Sequence, residues 1–278
     1  MSFLVLLLVV WVEKFSAWRR RIQHDGPWLR ELARVEASPR LAAAPYLGLA
    51  VLVLLPVFVL ASLLALLHPL AYGWLAFPVH LLVLVYSLGR GDVLAALGPF
   101  RDAWRRGDNQ AAYHVAERDL ELDAEESGEL LLRVQGYLAW EAYQSFFAVV
   151  FWYAMLGPVA ALAYRLLALT VEHAQLPALR ERAVQLRHAM DWLPVRVLAA
   201  SFALVGNFVA VSRVLLHELL SWEITAAQLI IKVGRAAGDL PESVLGEAGV
   251  ASLDELWQLL LRAAVLWYTA FALWTLFF

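Results

Sequence analysis

The chain has 278 residues, of which 62% are hydrophobic and 17% charged, and its net charge at pH 7 is −3. A soluble globular protein is typically about half apolar and a quarter charged, so this composition predicts an all-α, polytopic membrane bundle. The absence of cysteine excludes disulfides, thiolate metal sites and cysteine catalysis. The slightly negative charge argues against nucleic acid as a partner. We expect one membrane domain over residues 1–278, with additional cytoplasmic segments.

The first apolar segment, MSFLVLLLVVWV, ends at Glu13 and Lys14. It has neither the basic start nor the small-residue cleavage site of a signal peptide. It is also shorter than the roughly 20 residues that a membrane span needs. We therefore expect an uncleaved N-terminal helix that packs against other helices or enters the membrane only partway.

A transmembrane hairpin follows a basic arm. Residues 18–40 are rich in arginine, and the positive-inside rule places them in the cytoplasm. Residues 41–67 form the clearest membrane helix, with a kink expected at Pro56. The uncharged turn 68–73 is expected in the periplasm, and the apolar segment 74–89 returns the chain to the cytoplasm.

Residues 90–140 form a charged cytoplasmic excursion that we predict to be helical. Asp108 is suited to cap a helix beginning near Asn109, and Asp123 with Glu126 has the spacing of a capping box. The acidic run within this segment lacks a metal-ligand spacing and predicts a solvated helical face.

The second half of the chain contains further apolar segments, some of which are weaker candidates for membrane spans. Residues 145–169 are apolar but interrupted at Gly157–Pro158, and residues 193–216 are long enough to cross yet contain charges. Ser252 with Glu255 predicts another capping box, and the chain is apolar from Ala263 to its end. Four membrane spans are therefore expected, and up to six if the weaker segments also cross.

Common soluble-enzyme motifs are absent: there is no Walker-type glycine loop, GxGxxG, GxSxG or HExxH. The 7 histidines are scattered without helical pairing, and His80 within an apolar helix favours a hydrogen-bonded packing role over ligation. We therefore predict no catalytic residue, no metal site and no cofactor.

The stretch LGPVAALAYR combines a helix interruption with charge. Gly157 and Pro158 break the apolar segment, and Tyr164 and Arg165 follow one to two turns later. Interrupted membrane helices expose backbone groups that bind anions at a helix N-terminus. An ordinary kink with a snorkelling Arg165 is the alternative.

The stretch DWLPVRV places charge at the edge of the next apolar run. Asp191 is suited to cap a helix with Pro194 in its first turn, and Arg196 then projects from that turn. An ionisable side chain at membrane depth is a candidate functional residue unless it belongs to a structural ion-pair network, which is the alternative here. We expect Asp191 to pair with Arg165 or Arg196. The predicted ligand-binding residues are Glu141, Tyr164, Arg165, Asp191 and Arg196.

These two stretches resemble the CobD/CbiB family. FWYAMLGPVAALAYR is similar to that family's F-(W/Y)-Y-x-x-x-G-G-P-P-G-A-x-x-Y-R-x-x-N-T-L-D, and DWLPVRV is similar to its D-D-x-x-N-x-x-P-A-R-L. Members of that family are membrane enzymes of cobalamin biosynthesis that form an amide bond. This chain lacks the Asn-Thr-Leu-Asp run, and Arg187 and His188 stand where the family has paired acids. The resemblance therefore implies a related scaffold without the enzymatic activity.

The positions at which this chain differs from the CobD/CbiB motifs are similar to those of the AmpE family, which belongs to the same superfamily. Its pattern D-W-x-P-V-R, followed by A-L-x-G, is found here with Ala203, Leu204 and Gly206 completing it. The resemblance implies a multi-pass protein of the Gram-negative inner membrane, encoded with the amidase AmpD, that modulates β-lactamase induction. We expect a regulator that binds an anionic small molecule, a membrane lipid or another envelope protein. The alternative is a diverged CobD/CbiB-like ligase or transferase that retains ATP- or carboxylate-directed chemistry.

Overall fold

The computed structural model describes residues 5–7, 22–69, 74–89, 93–120, 122, 127–238 and 246–277, and within these ranges the regular structure is entirely helical. The all-α prediction is therefore confirmed. In chain order the α-helices are α1 (Gly26–Ala37), α2 (Pro39–Ala42), α3 (Pro45–Leu67), α4 (Ala76–Ser87), α5 (Val93–Ala96), α6 (Gly98–Arg105), α7 (Asn109–Leu120), α8 (Ser127–Ala142), α9 (Ala148–Leu156), α10 (Pro158–His173), α11 (Pro177–Val205), α12 (Phe208–Glu218), α13 (Ala226–Gly238) and α14 (Glu247–Phe277). A π-helical turn, Tyr143–Phe147, lies between α8 and α9.

The helices pack into two compact units. The first unit comprises Met1–Arg90 and Ala148–Asp191, and the second comprises Gly91–Phe147 and Trp192–Phe278. Of the predicted N-terminal helix, residues 5–7 are described, and there Val5 and Leu6 are buried. Its expected end at Glu13–Lys14 lies outside the described residues, as do positions 70–73 of the turn after α3.

The core of the first unit is aliphatic and is built around α1, α3, α10 and the start of α11. Its largest contributor from α1 is Trp28, whose indole Nε1 donates to the carbonyl of Leu52 at 3.4 Å. That carbonyl would bond to the N–H of residue 56 in a regular helix, but Pro56 has none. A π-helical turn at Ala50–Leu54 ends two residues before Pro56, where the sequence predicted a kink. The surrounding core residues are Leu32, Val35, Leu49, Val53, Leu166, Leu167, Leu169, Leu179 and Ala183.

Helices α9 and α10 of the first unit are separated at one residue. Gly157 adopts φ 77°, a left-handed conformation that favours glycine, and Pro158 begins α10. Proline suits this first position because its missing N–H would have no helical partner there. The predicted interruption at Gly157–Pro158 is confirmed.

The second unit buries one face of several amphipathic helices. Asp108 caps α7 as predicted, since its Oδ1 accepts from the backbone N–H of Ala111 at 3.0 Å. The acids Asp123 and Glu126 of the other predicted capping box lie outside the described residues. The buried apolar side chains of this unit include Leu97, Phe100, Trp104, Leu130, Leu131, Leu138, Tyr143, Phe147, Leu198, Phe202, Leu229, Ile230, Val233, Leu253, Leu256 and Leu260.

The capping box predicted at Ser252 is wrong, because α14 begins at Glu247 and Ser252 lies inside it. The buried Ser252 hydroxyl donates to the carbonyl of Gly249 at 2.7 Å and accepts from Gln135 Nε2 at 3.0 Å. The Ser252 hydroxyl therefore joins α14 to α8 within the second unit and does not cap the start of a helix.

Two helices in the described part of the chain are long and apolar enough to cross a membrane. They are Pro45–Leu67, with a mean hydropathy of 2.9, and Glu247–Thr275, with a mean hydropathy of 1.4. Helix α4 is apolar but shorter, and the segments 145–169 and 193–216 are each divided by a helix break. The prediction of four to six spans therefore stays a prediction beyond these two helices.

Gly206 gives a test of packing in the second unit. A Cβ at this position would lie 2.8 Å from the carbonyl oxygen of Ala237, and backbone does not yield as a flexible side chain does. We expect Gly206→Ala to lower the free energy of unfolding by about 1–3 kcal/mol, measured as a lower midpoint of thermal unfolding in detergent. Gly98→Ala is the control, because a Cβ there meets no heavy atom within 4 Å. Equal midpoints for the two variants would contradict this packing.

Candidate functional site

Asp191 lies at the centre of a buried polar cluster in the first unit. Its Oδ1 accepts a hydrogen bond from Tyr164 Oη at 2.8 Å, and its Oδ2 lies 3.6 Å from Arg187 Nε. The Arg187 guanidinium also lies 5.8 Å from the centroid of the Tyr164 ring. Only 3% of Asp191 and 1% of Tyr164 are exposed, so the carboxylate is compensated by protein groups. We call Tyr164, Arg187 and Asp191 the Asp191 cluster.

The local structure around Asp191 corrects the sequence prediction. Helix α11 runs without a break from Pro177 to Val205, so Asp191 does not cap a helix and Pro194 lies in the interior. Arg187 and Asp191 are four residues apart, a spacing that places both on one helical face. The acid is therefore stabilised by Tyr164 and Arg187, and it does not bind backbone N–H groups at a helix start. Sequence reasoning missed Arg187, although its i, i+4 spacing to Asp191 was a signal.

Arg165 contacts a second buried carboxylate in the same unit. Its Nη2 lies 3.9 Å from Asp25 Oδ2, and Tyr86 Oη donates to Asp25 Oδ1 at 3.1 Å. Gln23 lies next to this acid in the chain, and its side chain donates to the carbonyl of Val85 at 2.8 Å. The segment before α1 is thereby attached to the end of α4. No sequence motif singled out either Asp25 or Tyr86.

Arg196 belongs to the second unit and binds backbone carbonyls there. Its Nε donates to Leu219 O at 2.6 Å and its Nη1 to Trp192 O at 2.8 Å, and Nη2 contacts the carbonyls of Glu218 and Ser221. The guanidinium also lies 4.1 Å from the Trp192 ring centroid. The last carbonyls of a helix lack internal donors and carry partial negative charge. Arg196 therefore caps the C-terminal end of α12.

The remaining predicted residues lie in separate local environments. Glu141 on α8 is half-buried and accepts a hydrogen bond from Gln144. His80 Nδ1 lies 3.1 Å from Tyr153 Oη with the rings edge to face, which matches the packing role expected for it. No group of three or more acids and histidines within the described ranges has the geometry of a metal site.

These clusters can hold charge in fixed positions. Each of the two buried carboxylates has a tyrosine hydroxyl and an arginine of opposite charge beside it. Removing one member of such a buried group leaves the other charge uncompensated. Ligand binding by Tyr164, Arg165 and Asp191 in the first unit, and by Glu141 and Arg196 in the second, stays a prediction.

The family model described as regulatory signalling modulator protein AmpE matches residues 1–228. No curated protein and no solved structure matches the chain. The matched region includes Tyr164, Arg165, Asp191 and Arg196, together with helices α1 to α12.

The Asp191 cluster can be tested by a double-mutant cycle. Tyr164→Phe removes the hydroxyl donor, and we expect it to lower the free energy of unfolding by about 1–3 kcal/mol. Asp191→Asn removes the carboxylate beside Arg187 and should cost about 3–5 kcal/mol. The double variant should cost less than the sum, because both changes disrupt the same interaction.

Unfolding in detergent measures all three variants. Tyr46→Phe is the matched control, since that tyrosine is 61% exposed and its loss of a hydroxyl should leave stability unchanged. Additive effects of the two cluster substitutions would contradict the proposed coupling.

Proposed function

Because the chain belongs to the AmpE family of regulatory signalling modulators, we propose that it is a multi-pass inner-membrane protein that modulates cell-wall-linked β-lactamase induction. The match over residues 1–228 is the observation that carries this proposal. It does not favour the alternative of a diverged cobalamin-type ligase.

The exposed surface of α3 supports a membrane location. This helix has a mean hydropathy of 2.9, yet only 22% of its most apolar window is buried. An apolar helix at the core of a soluble protein would be mostly buried, whereas a lipid-facing helix exposes its side chains. Its large exposed side chains are Tyr46, Leu47, Leu54, Leu55, Phe58, Val59, Leu63 and Leu66.

The broken helices support the further proposal of four to six membrane-crossing segments. Helices α9 and α10 are apolar on both sides of Gly157, and an interrupted helix can lie at membrane depth where protein or water satisfies its backbone. The apolar helix α4 contacts the second half of α3, as the helices of a hairpin do.

The regulatory step that we propose is binding of an anionic small molecule, lipid headgroup or partner protein at the polar membrane-edge residues. Buried ionisable groups in an apolar protein cost free energy and are often retained for function. Arg165 and Asp191 are such groups, since only 13% of the Arg165 side chain and 3% of Asp191 are exposed. A change in the partners of either group alters the local charge balance and thereby offers a way to transmit a signal.

Cysteine labelling tests the topology, because the chain contains no native cysteine. His68→Cys lies after α3 and Gln110→Cys lies in α7, and both positions are exposed. We expect a membrane-impermeant maleimide to label His68→Cys in intact spheroplasts and Gln110→Cys only after permeabilisation. The parent chain controls for background labelling. Equal labelling of both positions in intact spheroplasts would contradict the expected hairpin.

An induction assay tests the regulatory role. In a strain lacking its own AmpE-family protein, we expect the parent chain to alter β-lactamase activity after exposure to an inducing β-lactam. Arg165→Gln should return activity toward that of the empty-vector strain, because it removes the cation beside Asp25. Arg30→Gln is the control, with the same loss of charge at an exposed position of α1.

β-Lactamase activity is compared per amount of folded protein in the membrane fraction. Parent-like induction by Arg165→Gln would show that the Arg165–Asp25 pair is structural only. No difference between the parent chain and the empty vector would contradict the regulatory role itself.

A further inference from the structure

An open groove lies between α12 and α13, which pack against each other in the second unit. Its volume is about 530 Å³. The predicted ligand-binding residues do not line it, and the residues that do are Arg213, Val214, His217, Glu218, Ile231, Lys232 and Arg235.

The basic side chains reach the groove from both of its helices. Arg213 and His217 are four residues apart on α12, and Lys232 and Arg235 are three residues apart on α13. These spacings place each pair on one helical face. Arg213, Lys232 and Arg235 therefore line the groove together with the carboxylate of Glu218.

Donor groups in the groove remain accessible to an anion. Lys232 Nζ donates to Glu218 Oε1 at 2.8 Å, and this hydrogen bond lowers the pKa of the Glu218 carboxyl. A lysine ammonium carries three N–H groups, and the Glu218 contact uses one of them. The Arg213 side chain is exposed and forms no hydrogen bond or ion pair with the described residues. Its guanidinium fork suits two oxygens of a phosphate.

An exposed apolar surface adjoins the basic groove. Leu216 is 74% exposed, Leu220 is 83% exposed, and Trp222 is 55% exposed. A helix with an exposed apolar strip beside an exposed basic strip is typical of a membrane interface, where tryptophan is also enriched. Val214 and Ile231 add apolar surface to the lining of the groove itself. A ligand with both a phosphate and an acyl chain could bind the basic groove through its phosphate and contact the apolar surface through its chain.

The C-terminal end of the groove wall is fixed by Arg196. Its hydrogen bonds to Leu219 O and to the carbonyl of Glu218 hold the last turn of α12. Glu218 is also the residue whose side chain contacts Lys232 on α13. The groove is therefore a preformed feature of the second unit, which reduces the ordering cost of binding.

We propose that the α12–α13 groove binds the phosphate of an anionic membrane phospholipid, with the acyl chains covering Leu216, Leu220 and Trp222. Arg213 and Lys232 donate to the phosphate oxygens, and Arg235 adds positive charge. The inference goes beyond the proposed function, because it assigns a second site outside the predicted ligand-binding residues, and it rests on the proposed membrane location.

Native mass spectrometry of the full chain in detergent tests this assignment. The protein is titrated with dioleoyl phosphatidylglycerol, with zwitterionic dioleoyl phosphatidylcholine and with glycerol 3-phosphate. We expect phosphatidylglycerol to bind at least tenfold more tightly than the other two probes. Arg213→Gln with Lys232→Gln should weaken it by roughly tenfold or more, because two charged hydrogen bonds are lost.

Two further variants separate binding from folding. Arg118→Gln with Arg133→Gln removes the same charge from exposed positions outside the groove and should leave binding unchanged. Arg213→Gln alone keeps the Lys232–Glu218 pair and should weaken phosphatidylglycerol binding without lowering the unfolding midpoint.

Parent-like binding by both groove variants would overturn the assignment. Equal affinity for phosphatidylcholine would show that the groove does not select anionic lipid, and equal affinity for glycerol 3-phosphate would replace the lipid by a soluble phosphate ester. None of these results would alter the outcome of the induction assay, so the lipid site and the regulatory role can fail separately.

Discussion

The compensation of buried charge is the constraint on which the first unit depends. A carboxylate removed from water costs several kcal/mol unless nearby donors replace its hydration. Asp191 receives a hydroxyl from Tyr164 and a guanidinium from Arg187, and Asp25 receives Tyr86 and Arg165. These contacts join α10 to α11 and α10 to the segment before α1. The buried charged groups that we propose for ligand binding thus also hold these helices against one another.

Freed backbone groups impose a second constraint on the helices. Pro56 removes a donor within α3, and the indole of Trp28 supplies one to the carbonyl of Leu52. At the end of α12 the guanidinium of Arg196 performs the corresponding role for carbonyls. In both places a side chain distant in sequence satisfies a main-chain group that the helix cannot satisfy itself.

Arginine therefore has distinct roles in this protein according to its surroundings. Arg196 uses its donors on backbone carbonyls and stacks on Trp192, so it shapes the second unit. Arg213 lies exposed in a groove beside Lys232 and adjoins an apolar surface. An exposed guanidinium retains donors for a ligand, which is why the lipid proposal rests on Arg213 although the sequence motif highlighted Arg196.

Several features were determined by the sequence alone, because their causes are local. Composition determined the helical class, Asp108 capped the following helix, and Gly157–Pro158 ended one helix and began the next. The motif around Asp191 indicated the family. Only tertiary structure placed Tyr164 of α10 beside the Asp191 carboxylate, and α11 continues through Pro194 where the sequence predicted a helix start. Likewise, the groove exists only because α12 and α13 pack together, a contact between helices that residue spacing along either one cannot specify.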